Sequence, residues 1–387
     1  MYHLLFTLLA CQVMSNLNTP RKSTMDVGIE KAQVNEFPYE IEVVANNLNI
    51  PWALAVDNRN DIYFTERIGN IWIIEEGELY NKPLYTFDYP FQSTSEGGLM
   101  GIALDEDFEN NGYLYVMYTY RDQGRLNNAI ARLVRTNHEL IFNQVLLDKI
   151  PGGRTHNGGR IKIGPDGKLY ITTGDAEVPE LAQDLTSMAG KILRINVDGS
   201  IPLDNPFSNS PVYSYGFRNP QGLAWDTNGI LYASEHGTNA NDEINVIVPG
   251  GNYGWPNVQG DKTQDAISIQ MPLLQSGEIT WAPSGMDFAN QGPWKGKLMV
   301  ANLRGEQLLV ITIFETEEGN KEASAEGWLY REYGRLRDVV RGNDGSVYIA
   351  TNNRDGRGNP RFMDDKILRL VLTEKFSASL SKGKYFQ

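Results

Sequence analysis

The 387-residue chain carries 35 Lys and Arg against 48 Asp and Glu, a net charge of −13. That balance excludes nucleic acid or an anionic membrane surface as the main partner, while leaving room for a local basic pocket. Its single cysteine, Cys11, excludes a disulfide framework and a thiolate metal site.

The first residues, MYHLLFTLLACQVMSN, read as an export segment over 1–18. Leu8-Leu9-Ala10-Cys11 resembles a bacterial lipoprotein signal, in which the cysteine is lipidated, although no Lys or Arg precedes the apolar run. The expected location is therefore the periplasm or the cell envelope, with Cys11 as the lipid anchor. Residues 19–36 are polar and read as a linker, residues 37–372 as one domain, and residues 373–387 as a weakly structured tail.

Within the domain a polar turn followed by an alternating apolar strand recurs six times. The copies are NRNDIYFTER, ENNGYLYVMYTY, GPDGKLYITTGD, DTNGILYASEHG, WKGKLMVANLRG and GNDGSVYIATNN. Asn111-Gly112, Asp166-Gly167, Asn228-Gly229 and Asp344-Gly345 are the turn dipeptides chosen where φ must be positive. Tyr63, Tyr115, Tyr170, Tyr232, Met299 and Tyr348 mark the phase, at spacings of roughly 50 to 65 residues. A repeat of that length holds four short strands, so the pattern predicts an all-β fold, a six-bladed β-propeller. Loops at one end of the blades then converge on the axis. The polar residues after each marked strand become candidates for a pocket rim: 65–67, 173–175, 235–237, 302–305 and 351–353.

The chemistry follows in chain order. The chain has no G-x-S-x-G elbow, no H-E-x-x-H pair and no G-x-G-x-x-G between strand and helix. Its four histidines are too isolated for an imidazole zinc site. His156 lies on a loop beside Gly158 and Gly159, and Asp175 ends the strand segment that follows. A hairpin-like return brings the carboxylate to the imidazole and fixes its tautomer; a surface histidine with an unrelated aspartate fits the spacing equally well. Arg218-Asn219 stands in YGFRNPQGLAW. In YGRLRDVV, Arg335 and Arg337 share one face of an extended strand, a pairing suited to a polyanion. Solvated ion pairs are the competing account. In SEHGTNANDEINVIVPGGNYGWP, Asp242, Glu243 and exposed carbonyls form a possible hard-cation site, and Asn/Asp turn chemistry explains the same cluster.

From Phe37 to Leu372 these motifs, with NIPWALAV, TERIGNIW, EGGLMGIALDEDFENNGYLYVMYT, HNGGRIKIGPDGKLYITTGD, AGKILRINVDGSIPLDNPF and WAPSGM, resemble in order the soluble pyrroloquinoline quinone (PQQ)-dependent glucose and aldose sugar dehydrogenases. The resemblance implies a six-bladed propeller that binds PQQ and Ca²⁺. It makes His156 the base for the sugar's anomeric hydroxyl, Asp175 the carboxylate supporting it, Arg218 and Asn219 PQQ contacts, and Arg335 and Arg337 the arginines that bind or activate the quinone. Glu96 falls where the glucose enzymes carry a substrate-contacting glutamine, and Trp281 is a candidate pocket wall. The carbonyls of Gly237 and Thr238 match ligands of the Ca²⁺ beside PQQ; Glu243 and the carbonyl of Tyr253 match a structural calcium site. Thr238 replaces a common proline, and Thr155 an acidic residue. The family's PQQ-contacting lysine has no secure counterpart, with Arg304 the nearest candidate. The shorter chain is more like the aldose sugar dehydrogenase branch.

The resulting expectation is oxidation of the C1 hydroxyl of aldoses to lactones, with electrons passed to an acceptor that the residues do not identify. A non-catalytic carbohydrate- or protein-binding propeller and a Ca²⁺-dependent lactonase-type hydrolase are the alternatives.

Overall fold

Each predicted turn-and-strand unit supplies the second strand of an antiparallel sheet, and six such sheets, five of four strands and that of the first blade of five, surround a common axis. A computed structural model describes residues 36–137, 139–260, 268–373 and 376. The export segment with Cys11, all but Glu36 of the linker and most of the tail lie outside the described residues.

The first blade begins with Pro51–Val56 and Ile62–Glu66, the second with Leu99–Leu104 and Tyr113–Asp122, and the third with Ile161–Ile163 and Leu169–Thr173. Pro220–Trp225 and Leu231–Glu235 open the fourth, Pro283–Phe288 and Leu298–Asn302 the fifth, and Leu336–Arg341 and Val347–Thr351 the sixth. In every blade the first of these strands is innermost and packs on the innermost strands of its neighbours. The phase-marking residues 63, 115, 170, 232, 299 and 348 all fall on second strands and are all buried.

Burial of a tyrosine requires a partner for its hydroxyl, and the turn aspartates provide it. Tyr170 donates to Asp166 at 3.0 Å, Tyr232 to Asp226 at 3.3 Å, and Tyr115 to Asp105. The same turns place Gly112, Gly167, Gly229 and Gly345 at φ between 66° and 84°, the region the dipeptides anticipate.

The sixth blade is built from both ends of the domain. Tyr39–Ala45 pairs antiparallel with Ile367–Leu372, Tyr39 opposite Leu372, as the blade's outermost strand. Phe37, Tyr39, Trp294 and Trp328 pack their rings over this closure, with centroids 4.6 to 6.0 Å apart. Nothing in the periodicity announces the closure, because Tyr39–Ala45 carries no turn signature of its own.

Candidate active site

The polar residues of the loops occupy two kinds of position at one end of the ring. Some follow a second strand: Arg67, Asp175, Gly237 and Asp355. Others precede a first strand: Glu96, His156, Arg218, Asn219 and Arg335. Antiparallel pairing puts the end of strand two beside the start of strand one, so residues more than 200 apart in sequence meet near the axis.

His156 has φ +56°, with Gly158 at +65° and Gly159 at +109°, so the loop turns sharply before its strand. The glycines are sterically required. A Cβ on Gly159 lies 2.9 Å from Trp52 and from the Met100 sulfur, and one on Gly174 lies 2.0 Å from the His156 carbonyl oxygen. That close approach carries the chain into contact with the imidazole at the next residue: His156 Nδ1 is 2.8 Å from Asp175 Oδ1. Asp175 also accepts from the Glu177 N–H and from the Trp255 indole N–H, each at 2.9 Å. The loop itself is held by the His156 N–H on Glu96 (2.9 Å), by the Gly158 N–H on the Asn219 side chain (2.9 Å), and by Asn157.

Gly174→Ala is accordingly expected to push Asp175 off the imidazole. A displacement on the order of 1 Å lowers turnover about 100-fold. A steady-state kcat within a few-fold of the parent, with unchanged circular dichroism, shows that this contact does not set the geometry.

The other imidazole nitrogen faces a cation. Arg218 Nη2 lies 2.8 Å from His156 Nε2, so with Nδ1 donating to Asp175, Nε2 accepts from the guanidinium. Arg218 Nη1 donates at 2.8 Å to the carbonyl of Gly237. Burial lowers the Arg218 pKa, and its backbone N–H donates to Glu235.

Arg335 donates to Asp355 at 2.8 Å, and its Nε has no partner among the described residues. Arg337 is buried with neutral oxygens only: the Gln221 side chain at 2.8 Å and Ser284 at 3.4 Å. Its guanidinium lies 5.2 Å from the Trp52 ring, its Nε is also unpartnered, and burial pushes its pKa well down.

Glu96 spends one oxygen on the His156 N–H and the other on an ion pair with Arg357. Burial raises its pKa, but the charge and hydrogen bond of Arg357 outweigh that and hold it below the usual carboxylate range. Trp281 is packed in the core shared by the fourth and fifth blades, and its indole N–H is unpartnered among the described residues. Arg304 is exposed on the loop against the Trp281 backbone.

Glu243, Tyr253 and Gly237 line one small cavity, together with Glu235, which the sequence reading left only as a rim candidate. Burial and then the mutual proximity of the carboxylates raise Glu235 well above its usual pKa, and burial brings Glu243 to about 7. Thr238 is exposed and donates to Gln259. Asp242 differs from the cation-ligand expectation, because both its oxygens are taken by backbone N–H groups of Gly237, Trp281 and Ala282. Among the described residues no three His, Cys, Asp or Glu side chains cluster, so a metal here depends on carbonyls as well.

Trp255, Arg67, Asp355 and Arg357 were not named as site residues from sequence. Arg67 stood in the rim segment 65–67, and Trp255 in the quoted GNYGWP; nothing marks Arg357. A larger cleft of about 460 Å³ between the third and fourth blades is lined by Tyr170, Tyr213, Trp225 and Lys321, and none of the site residues borders it.

The glucose/sorbosone dehydrogenase profile matches residues 48–369. Quinoprotein glucose dehydrogenase B of Acinetobacter calcoaceticus is 35% identical over 308 residues, which is 69% of this chain but 64% of that relative's length. Aldose sugar dehydrogenase YliI of Escherichia coli K12 is 30% identical over 347 residues, covering 82% of this chain and 91% of the relative. The PQQ-bound aldose sugar dehydrogenase of Streptomyces coelicolor superposes with a TM-score of 0.78 at 36% identity, over 87% of this chain and 98% of that one.

Proposed function

The chain belongs to the glucose/sorbosone dehydrogenase family, and from that premise we propose that it is a PQQ-dependent aldose sugar dehydrogenase, oxidising the C1 hydroxyl of an aldose to the lactone. The observation that carries the reading is the chain Asp175–His156–Arg218 at the axial end of the ring, each link 2.8 Å.

The residues present fit a quinone bearing three carboxylates. Arg337 is a buried cation without a carboxylate in contact, and Arg335 keeps a buried Nε unpartnered. Arg218, Asn219, Arg335 and Arg337 would hold the cofactor. They also fit a hard cation: two buried carboxyls driven toward protonation, Glu235 and Glu243, line one cavity with Gly237 and Tyr253, whose carbonyls the resemblance implies as ligands, and a divalent ion there would relieve the repulsion of the carboxyls. When bound, PQQ supplies the acceptor for the C1 hydrogen, and Ca²⁺ a Lewis acid beside it.

His156 Nε2 then takes the C1 hydroxyl proton, while Asp175 holds Nδ1–H and stabilises the imidazolium that forms. Arg218 has to leave Nε2 before that lone pair can accept a proton. The same movement frees the Gly237 carbonyl for a cation. Glu96 acts through the loop, by fixing the His156 backbone.

The test is to titrate the purified apo-protein with PQQ in the presence and absence of Ca²⁺, then to follow dye reduction over a panel of aldoses. PQQ binding that depends on Ca²⁺, together with sugar-dependent reduction, is expected. Glu243→Gln is expected to raise the Ca²⁺ concentration needed by about tenfold or more, the loss of one charged ligand. Absence of both binding and reduction sinks the proposal, and lactone hydrolysis in their place favours the hydrolase.

A further inference from the structure

Arg67 follows the second strand of the first blade, and its backbone is fixed on both sides. Its N–H donates to the Ile50 carbonyl and its own carbonyl accepts from Leu99, each at 3.0 Å. Gly98 lies against it so closely that a Cβ there would stand 2.8 Å from the Arg67 Cγ. The root of the side chain is thereby held in place.

The guanidinium lies within electrostatic range of Glu96, Asp355, Arg357 and Arg337. Both carboxylates are already taken, Glu96 by Arg357 and Asp355 by Arg335. Arg67 is left with none. Its Nε is buried, and among the described residues no oxygen accepts from its side chain. Burial accordingly lowers its pKa. The guanidinium is half-buried, and its buried Nε without an acceptor forfeits a hydrogen bond that water would supply, a loss that an anion from outside the chain would make good. Arg218, Arg335 and Arg337 are accounted for by the cofactor reading; Arg67 is not.

We propose that Arg67 is a further carboxylate-binding residue of the axial pocket, planar and forked to take one carboxylate of the ligands bound there. The proposal rests on the PQQ dehydrogenase reading. That chemistry has two sources: a carboxylate of the cofactor, or one carried by the substrate, as in a uronic acid.

Arg67→Gln and Arg67→Lys separate them. PQQ affinity of the apo-protein is read by quenching of tryptophan fluorescence in Ca²⁺ buffer. KM is read on the loaded enzyme for D-glucuronate and D-glucose, and circular dichroism melting checks that each variant folds like the parent. If the partner is the cofactor, Arg67→Gln raises the PQQ Kd by about tenfold or more. If the partner is the substrate, the PQQ Kd holds, the glucuronate KM rises by a similar factor, and the glucose KM holds. Arg67→Lys recovers part of either loss, because it keeps the charge without the fork. A parent that binds PQQ and a Gln variant indistinguishable from it in both measurements overturn the Arg67 proposal alone. A parent that binds neither PQQ nor glucuronate overturns both this proposal and the dehydrogenase reading.

Discussion

His156→Ala is expected to lower turnover by about 10²- to 10⁴-fold, the range spanned by positioned general bases, while PQQ affinity stays within a few-fold of the parent. The two readouts separate because the imidazole supports few neighbours. With it removed, Asp175 keeps the Trp255 and Glu177 donors, and Arg218 keeps the Gly237 carbonyl. The loop backbone keeps its Glu96 and Asn219 anchors, both of which act on N–H groups. Added imidazole is expected to restore part of the rate, since a cavity of the right shape remains next to Asp175. Stopped-flow measurement of the reductive half-reaction checks this directly. A rate unchanged by the substitution removes His156 as the base, and a lost PQQ affinity makes it a structural residue.

Asp338→Ala is expected to destabilise the fold by about 3–5 kcal/mol, the cost of stripping the partner from a buried cation. Asp338 Oδ2 accepts from Arg160 Nη1 and from the Leu54 N–H, each at 2.8 Å, and both side chains of the pair are at most 2% exposed. Arg160 reaches further, to the Gln221 carbonyl at 3.0 Å and over the Trp52 ring at 4.7 Å. One ion pair therefore ties the first, third, fourth and sixth blades together at the axis. Gly285 makes room for it, as a Cβ there would lie 1.6 Å from Asp338 Oδ1. Urea denaturation gives the measurement. Asp338→Asn, which keeps an acceptor for the Leu54 N–H, is expected to lose less. A loss below about 1 kcal/mol for the alanine variant places the pair among those that contribute little.

The two predictions differ in how far sequence could have led to them. His156 was singled out by its glycine-lined loop and Asp175 by the spacing of one strand, but spacing alone left an unrelated surface pair equally open. The resemblance assigned the roles, and the tertiary geometry brings the side chains into contact. Arg160 and Asp338 lie inside quoted motifs, HNGGR and RLRDVV, yet no local pattern joins residues 178 apart. Glu243 drew attention through its acidic cluster, whereas Glu235, at the end of an ordinary strand, became a partner to it only once the second and third strands of the fourth blade were paired. Asp242 shows the opposite error of emphasis: its carboxylate suited a cation on paper, and the folded loop spends it on backbone N–H groups.

By itself the sequence determined the strands, the turns and the number of blades, because these depend on near neighbours: alternation with period two, Asn-Gly and Asp-Gly turns, and a buried tyrosine paired with its turn aspartate. Tertiary structure alone decided where the ring closes, with Tyr39–Ala45 joining the sixth blade. It also decided which polar loop residues share a pocket, including Arg67 and the Glu96–Arg357 pair. Those contacts exist only after closure brings six loop sets to one axis, and the free energy that selects them is the burial and pairing of charges far apart in the chain. No window of sequence contains both partners.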